Sequence, residues 1–234
     1  MEVEKQVRED QRSARIFGVL FIITFITSIA ALALFQPVLD DPGRYISGGG
    51  KDDEIYLGAF LELLLIISNV GTAVVLYPIA RRQNETLAIG YVAARIIECV
   101  FIAAGIIFVL GVVQLRQDSP DAADLAVSLA ALKDLTFLFG PGFIVPWGNG
   151  LILGYLMYRS GLVPRRMAWF GLIGGPILLV SSIGTLFDWW EWGSTVPSLL
   201  VIPEFIWEAF LGIYCAIWGF RRDAPILSGA RGSA

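Results

Sequence analysis

The chain has 234 residues, of which 56% are hydrophobic and 16% are charged, and its mean hydropathy is +0.70. Soluble domains usually have about 45–50% apolar and about 25% charged residues, so this composition excludes an ordinary soluble fold. The absence of histidine excludes histidine-based catalysis and histidine metal ligands, and the net charge of −4 argues against a nucleic-acid partner.

Six long apolar blocks follow one another along the chain, and each is long enough to cross a bilayer as a helix of about 20 residues. They show no strand-like alternation, which disfavours an outer-membrane barrel. The sequence therefore predicts an all-α, polytopic integral membrane bundle of six transmembrane helices, with residues 1–234 forming a single membrane domain. The predicted spans cover residues 16–35, 55–80, 87–114, 135–158, 167–187 and 199–220.

The distribution of lysine and arginine predicts how this bundle is oriented. Of the 17 basic residues, twelve flank the spans on the side that holds both termini, four lie on the other side, and Arg95 lies within the third span. Because basic residues accumulate on the cytoplasmic side of a membrane, we expect a multi-pass protein with both termini in the cytoplasm.

Two connections on the opposite side have distinct patterns. Residues 36–54 are acidic and glycine-rich but lack the spacing of a calcium-binding loop, so we expect a flexible, solvated loop and no metal site. In residues 115–134, the run from Ser119 to Asp121 resembles a helix start. Leucines then recur at helical spacing, which predicts a short interfacial helix leading into the fourth span.

Five ionisable residues fall inside the apolar blocks: Glu62, Arg95, Glu98, Glu204 and Glu208. Each costs about 2.5 kcal/mol or more in hydrocarbon, so these side chains must face the bundle interior, a partner or water. Arg95 and Glu98 are three residues apart and Glu204 and Glu208 are four apart, so each pair shares one helix face. We expect spans two, three and six to bring all five into one polar seam. Within it Arg95 pairs with Glu98, with Glu62 as a second candidate partner.

The charges of this polar seam do not cancel. Four carboxylates against one guanidinium leave a net charge of −3, and arginine stays protonated in essentially any protein environment. Three solutions stay open: some carboxylates carry a proton, a cation or cationic ligand binds, or water reaches the seam. Glu204 and Glu208, one helical turn apart, are the pair that we expect to share a proton.

The fourth block is interrupted, because residues 139–150 contain two prolines and four glycines and cannot form a straight helix. In transporters, such interruptions mark binding sites near the membrane midplane, whereas a kink that only improves packing is the alternative. Asn149 in this block and Asn69 in the second are candidate polar ligands. Small residues spaced four apart, which let helices approach closely, recur at Gly150, Gly154, Gly171 and Gly175.

Several segments are familiar as a set, among them GAFLEL at residues 58–63, GYVAARIIE at 90–98 and PEFIWE at 203–208. They resemble a bacterial six-helix membrane family catalogued as domain of unknown function 4386, and the resemblance covers essentially the whole chain. It implies an integral protein of the bacterial inner membrane. It implies no known activity, substrate or cofactor.

Three functions follow from these patterns. The leading hypothesis is a small proton- or cation-linked transporter or ligand-binding membrane protein that uses the buried Glu/Arg cluster. The second is a structural or accessory membrane protein in which the cluster only holds helices together. The third and least favoured is an intramembrane enzyme on lipid-like substrates, because the sequence has no nucleophile–base motif. We expect no cofactor. The expected partners are the lipid bilayer and a small ligand, proton or cation, with a homo-oligomer as an open option.

Overall fold

The computed structural model describes residues 2–119, 121–191 and 193–227, and within them the secondary structure is helical, without strands. Six helical runs are long and apolar enough to cross a membrane, which confirms the predicted six-helix membrane bundle. The helices are α1 Glu2–Leu39, α2 Pro42–Ile46, α3 Asp52–Ala80, α4 Glu85–Asp118, α5 Ala123–Phe137, α6 Gly154–Ser160, α7 Arg165–Leu186, α8 Thr195–Leu200 and α9 Ile202–Trp218. Two π-helical stretches, Leu138–Ile144 and Pro146–Leu153, join α5 to α6.

The helices pack so that one end of the chain lies against the other. Helix α1 contacts both α3 and α9, and α4 contacts α3 and α5, while α7 contacts α9 and the second π-helical stretch. Many large apolar side chains remain exposed on the outside of the bundle, including Ile26, Ile67 and Ile107. This surface is the one expected where lipid replaces water as the solvent.

Two apolar core clusters lie at different heights in the bundle, and a polar layer separates them. Phe21, Leu76 and Trp207 belong to one cluster, whereas Phe35 and Ile106 belong to the other. Between these heights, buried polar side chains interrupt the inward faces of the first three spans. This polar layer consists of Thr24, Thr27, Ser68, Asn69, Thr72, Arg95 and Glu98.

The connection between α1 and α3, predicted as a flexible and solvated loop, contains ordered contacts. It contains the short helix α2, in which Tyr45 is buried, and the Tyr45 hydroxyl donates to Asp52 Oδ1 at 2.7 Å. Arg116 lies 3.1 Å from the same carboxylate oxygen and donates to the carbonyl oxygen of Gly49 at 3.1 Å. A guanidinium from α4 therefore holds one end of this loop, whereas Asp40, Asp41 and Asp53 are exposed, as the sequence predicted.

The predicted interfacial helix before the fourth span exists, but it is not a separate element. Helix α5 begins at Ala123 and continues into the π-helical region without a break, so the whole run Ala123–Ser160 forms one candidate span. Pro120, in the predicted helix start, lies outside the described residues. Because α5 packs against α4, part of it belongs to the interior of the bundle, and this places Lys133 inside the protein.

Candidate functional site

Arg95 and Glu98 of α4 form the predicted ion pair at the centre of the polar layer. Arg95 Nη1 donates to Glu98 Oε2 at 2.8 Å, and both side chains are buried. Asn69 of α3 donates through Nδ2 to the other oxygen, Glu98 Oε1, at 3.0 Å, and Arg95 Nε donates to Thr72 Oγ1 at 3.4 Å. The pair therefore joins α3 to α4, and both oxygens of Glu98 have a donor.

Aromatic rings enclose the guanidinium of Arg95. Its central carbon lies 5.1 Å from the centroid of the Phe21 ring and 5.9 Å from that of Tyr91. A guanidinium within about 6 Å of a ring face is attracted by the quadrupole of the ring. Phe21 comes from α1, so the first span also helps to hold Arg95 in place.

Glu62 does not join Arg95 but pairs with Lys133, which the sequence analysis placed in the connection before the fourth span. Lys133 Nζ of α5 donates to Glu62 Oε1 at 2.6 Å, and their side chains are only 6% and 10% exposed. The ammonium also lies 5.0 Å from the centroid of the Phe35 ring. The proposed pairing of Glu62 with Arg95 was wrong because the apolar block of the fourth span was begun two residues after Lys133.

Glu204 and Glu208 of α9 lack the cationic partners that the other two glutamates have. Glu204 is 1% exposed, and neither of its carboxylate oxygens has a hydrogen-bond partner among the described residues. Glu208 is half-buried, and its Oε1 accepts a hydrogen bond from Asn149 Nδ2. Arg95 interacts electrostatically with both carboxylates but forms its ion pair with Glu98.

Asn149 reaches Glu208 because the fourth span is π-helical where the sequence predicted an interruption. Pro146 has no N–H to donate to the carbonyl of Gly142, four residues earlier. The Ser182 hydroxyl of α7 donates to that carbonyl oxygen instead, at 2.6 Å. Trp207 Nε1 likewise donates to the carbonyl oxygen of Asn149 at 2.9 Å. Side chains from neighbouring helices thus satisfy the backbone of the wider helix, as a lipid environment requires.

Glycines form the wall against which Glu204 packs. A Cβ atom added to Gly150 would lie 2.6 Å from Gly175 Cα and 3.1 Å from Glu204 Oε2. A Cβ atom on Gly174 would lie 2.9 Å from the same carboxylate oxygen. The close approach predicted from the glycine spacing is confirmed for Gly150 and Gly175. This close approach brings the Glu204 carboxylate next to the backbone of the fourth and fifth spans.

A comparison with known protein families gives a match. A family model described as domain of unknown function (DUF4386) matches residues 16–219. The chain belongs to the DUF4386 family. The searches found no matching curated protein and no matching solved structure. The matched region of this DUF4386 chain includes all seven residues that the sequence analysis selected as candidate ligands.

The predicted polar seam of this DUF4386 chain is divided into two parts. Glu62 lies with Lys133, whereas the other four charged residues interact electrostatically with one another near Asn149. Sequence reasoning missed Lys133 and the role of Trp207, which resembled an ordinary aromatic residue in an apolar run. In the second part, three carboxylates oppose one guanidinium, which leaves a net charge of −2 if all are ionised. Glu204 and Glu208 together form the carboxylate pair.

Proposed function

We propose that this protein takes up a proton or a cation at the carboxylate pair, as a small transporter or a ligand-binding membrane protein. One observation carries the proposal: Glu204 is 1% exposed and both of its carboxylate oxygens lack a hydrogen-bond donor among the described residues. A charge at such a position needs a counter-ion or a proton. Glu98 and Glu62 have cationic partners, and Glu204 has none within the described part of the chain.

The spacing of the pair supports the same assignment. Glu208 lies one turn from Glu204 on the same face of α9, so an ion or proton bound at Glu208 is adjacent to the buried carboxylate. The pair also faces an irregular span, a feature that in transporters accompanies binding sites near the midplane.

The test is infrared difference spectroscopy of the purified full chain in nanodiscs, comparing about pH 6 with about pH 9. Exposed carboxylates stay ionised across that range, so a change in the carboxyl C=O stretch reports a buried group. We expect a band that disappears as the pH rises and is lost in Glu204→Gln or Glu208→Gln. The matched control is Glu9→Gln, because Glu9 is an exposed glutamate on α1.

The possible results separate cleanly. If the band persists in both α9 variants, the proton exchanges at another carboxyl group, and the proposal for this pair is wrong. If the wild type has no pH-dependent band, and neither pH nor the salt cation changes its thermal stability, the carboxylate pair takes up nothing. In that case the proposed function is wrong.

A second function, a structural or accessory role, is favoured by a different observation. The Asn69–Glu98–Arg95 group and the Lys133–Glu62 pair both join neighbouring helices by direct hydrogen bonds. Polar contacts of this kind in membranes average about 0.6 kcal/mol. If all substitutions in the cluster change stability but none changes proton or cation uptake, the structural role is the better assignment.

The location of the protein is also a proposal. We infer a bacterial inner membrane with both termini in the cytoplasm, which is supported by the excess of lysine and arginine on the side of the termini. Reporter fusions after Leu39 and after residue 227 test the orientation. If a reporter that functions only outside the cytoplasm is active when fused after residue 227, the proposed orientation is wrong.

A further inference from the structure

We propose that Glu204, Glu208 and Asn149 bind a sodium-sized monovalent cation through their side-chain oxygens. This inference rests on the proposed function and names the ligand of the same site. It places the cation between the start of α9 and the second π-helical stretch. Its chemical class is a hard inorganic cation, for which carboxylate and amide oxygens are the preferred protein ligands.

The first argument is a group of oxygen acceptors that lack donors. Both carboxylate oxygens of Glu204 and the Oδ1 of Asn149 are buried without a hydrogen-bond partner among the described residues. Buried polar atoms normally have such a partner, and these exceptions lie on elements that are in contact, since a Cβ on Gly150, next to Asn149, would be 3.1 Å from Glu204 Oε2. They indicate that something other than a protein donor satisfies the oxygens. Asn149 is 1% exposed and already donates its N–H to Glu208, so its oxygen remains free for a cation.

The second argument is that the fourth span is irregular at the site. The sixth span runs through Val201 without a break, because the Val201 N–H donates to Pro197 and its carbonyl oxygen accepts from Phe205, so Glu204 lies within a continuous helical run. An ionised carboxylate is the form that binds a metal ion. In the fourth span, Asn149 belongs to the π-helical stretch. Single π-helical turns within α-helices frequently occur at functional sites.

The donor set argues for a monovalent ion. Among the described residues, no group of three or more His, Cys, Asp or Glu side chains is placed to hold a metal ion. The site therefore offers two carboxylates and one amide. Calcium takes six to eight oxygen ligands and magnesium needs near-ideal octahedral geometry with several retained waters. Two carboxylates and one amide provide at most five side-chain oxygens, which is fewer than calcium takes.

The charged groups that face the carboxylate pair predict how pH affects this site. Within the described residues they are Arg95 and Glu98, both on α4. Their mutual ion pair leaves the charges of Glu204 and Glu208 uncompensated. One monovalent cation leaves a charge of −1, which a single proton can neutralise. Because protons and the cation use the same oxygens, sodium affinity should fall as the pH falls.

The experiment measures sodium binding directly, with ²²Na⁺ and the purified full chain in nanodiscs, at constant ionic strength in choline chloride. We expect saturable binding that choline does not displace, and an affinity lowered at least about tenfold in Asn149→Ala and in Glu204→Gln. The Glu9→Gln control should retain wild-type affinity. Thermal unfolding, measured in sodium and in choline, shows whether each variant is folded. If a variant is not folded, sodium binding by the wild type still tests the proposal.

Each outcome decides the proposal. Saturable wild-type binding that is lost with the site variants supports it. Absence of binding overturns it, as does tighter binding of Ca²⁺ or Mg²⁺ than of Na⁺, or unchanged affinity in both variants. If sodium does not bind but the infrared band of the carboxylate pair still responds to pH, the cation is wrong and the proposed function stands. If neither sodium binding nor the infrared response is observed, both the sodium site and the proposed function are wrong.

Discussion

Replacing one partner of the Lys133–Glu62 pair should destabilise the protein far more than replacing both. The perturbation is a double-mutant cycle of Lys133→Met, Glu62→Met and the variant that has both substitutions. Methionine approximates the length of both side chains and fills irregular gaps. Each single variant leaves the other charge buried without its partner, because the two side chains are only 6% and 10% exposed.

The expected magnitude follows from this geometry. At the observed 2.6 Å between Lys133 Nζ and Glu62 Oε1, the attraction between unit charges is about 6 kcal/mol at an effective dielectric constant of about 20. Desolvation of both groups offsets most of it, so the pair adds little net stability. Loss of one partner from a buried pair costs about 3–5 kcal/mol, whereas replacing both by apolar groups is often neutral. Two single variants that each lose about 3 kcal/mol or more and a near-neutral double variant give a coupling free energy of about 6 kcal/mol or more.

The assay is the free energy of unfolding in mixed micelles, followed by tryptophan fluorescence during titration with a denaturing detergent. A matched control is the pair Lys51–Glu54, which lies 3.3 Å apart but has side chains that are 77% and 40% exposed. The same cycle there should give at most about 1 kcal/mol in any variant. Single Lys133 or Glu62 variants as mild as these controls, or a double variant as unstable as the sum of the singles, would refute the reasoning.

Two further predictions concern helix packing and the loop between α1 and α3. Gly18→Ala should destabilise the bundle by about 1–3 kcal/mol in the same assay, because the new Cβ would lie 2.2 Å from the backbone nitrogen of Ala216. Gly90→Ala, whose Cβ meets only an ordinary contact at 3.5 Å, should instead stabilise it by about 0.5–1 kcal/mol; equal effects at the two positions would contradict this. Burial, followed by the hydrogen bond to Asp52, raises the pKa of Tyr45. The native state therefore favours the protonated phenol, and its contribution is present at neutral pH and lost as the pH rises above about 10. Tyr45→Phe should flatten the alkaline decline of stability, and an unchanged slope would contradict the assignment.

The fold was predictable because each span has its own signal. Hydrophobic blocks of bilayer length determine where helices lie, whatever their partners are. The two prolines between residues 139 and 150 also predicted that the fourth span is not regular. Its π-helical form was not predictable, because it depends on donors from elsewhere, such as Ser182 and Trp207. A sequence pattern contains no information on which neighbouring helix supplies them.

The candidate site was predictable only where its contacts are local. The Arg95–Glu98 pair follows from spacing within one helix, and the structure contains it. Lys133 was missed because its partner is 71 residues away in the chain and because it lies at the edge of an apolar block. The leucines at helical spacing in residues 125–132 were the available signal, since a helix continued through them places Lys133 within the bundle.

The paired and unpaired charges also differ in their surroundings. Glu62, Glu98, Arg95 and Lys133 lie within regular α-helical segments, where the backbone groups bond to one another and a buried charge must find a side-chain partner. Glu204 instead faces the π-helical stretch that contains Asn149. The irregular backbone of that stretch is satisfied by Ser182 and Trp207 of neighbouring helices, whereas the Glu204 carboxylate has no hydrogen-bond donor among the described residues. A bundle that needed only interhelical contacts would gain nothing from a buried carboxylate without a partner, and this favours a ligand at that position.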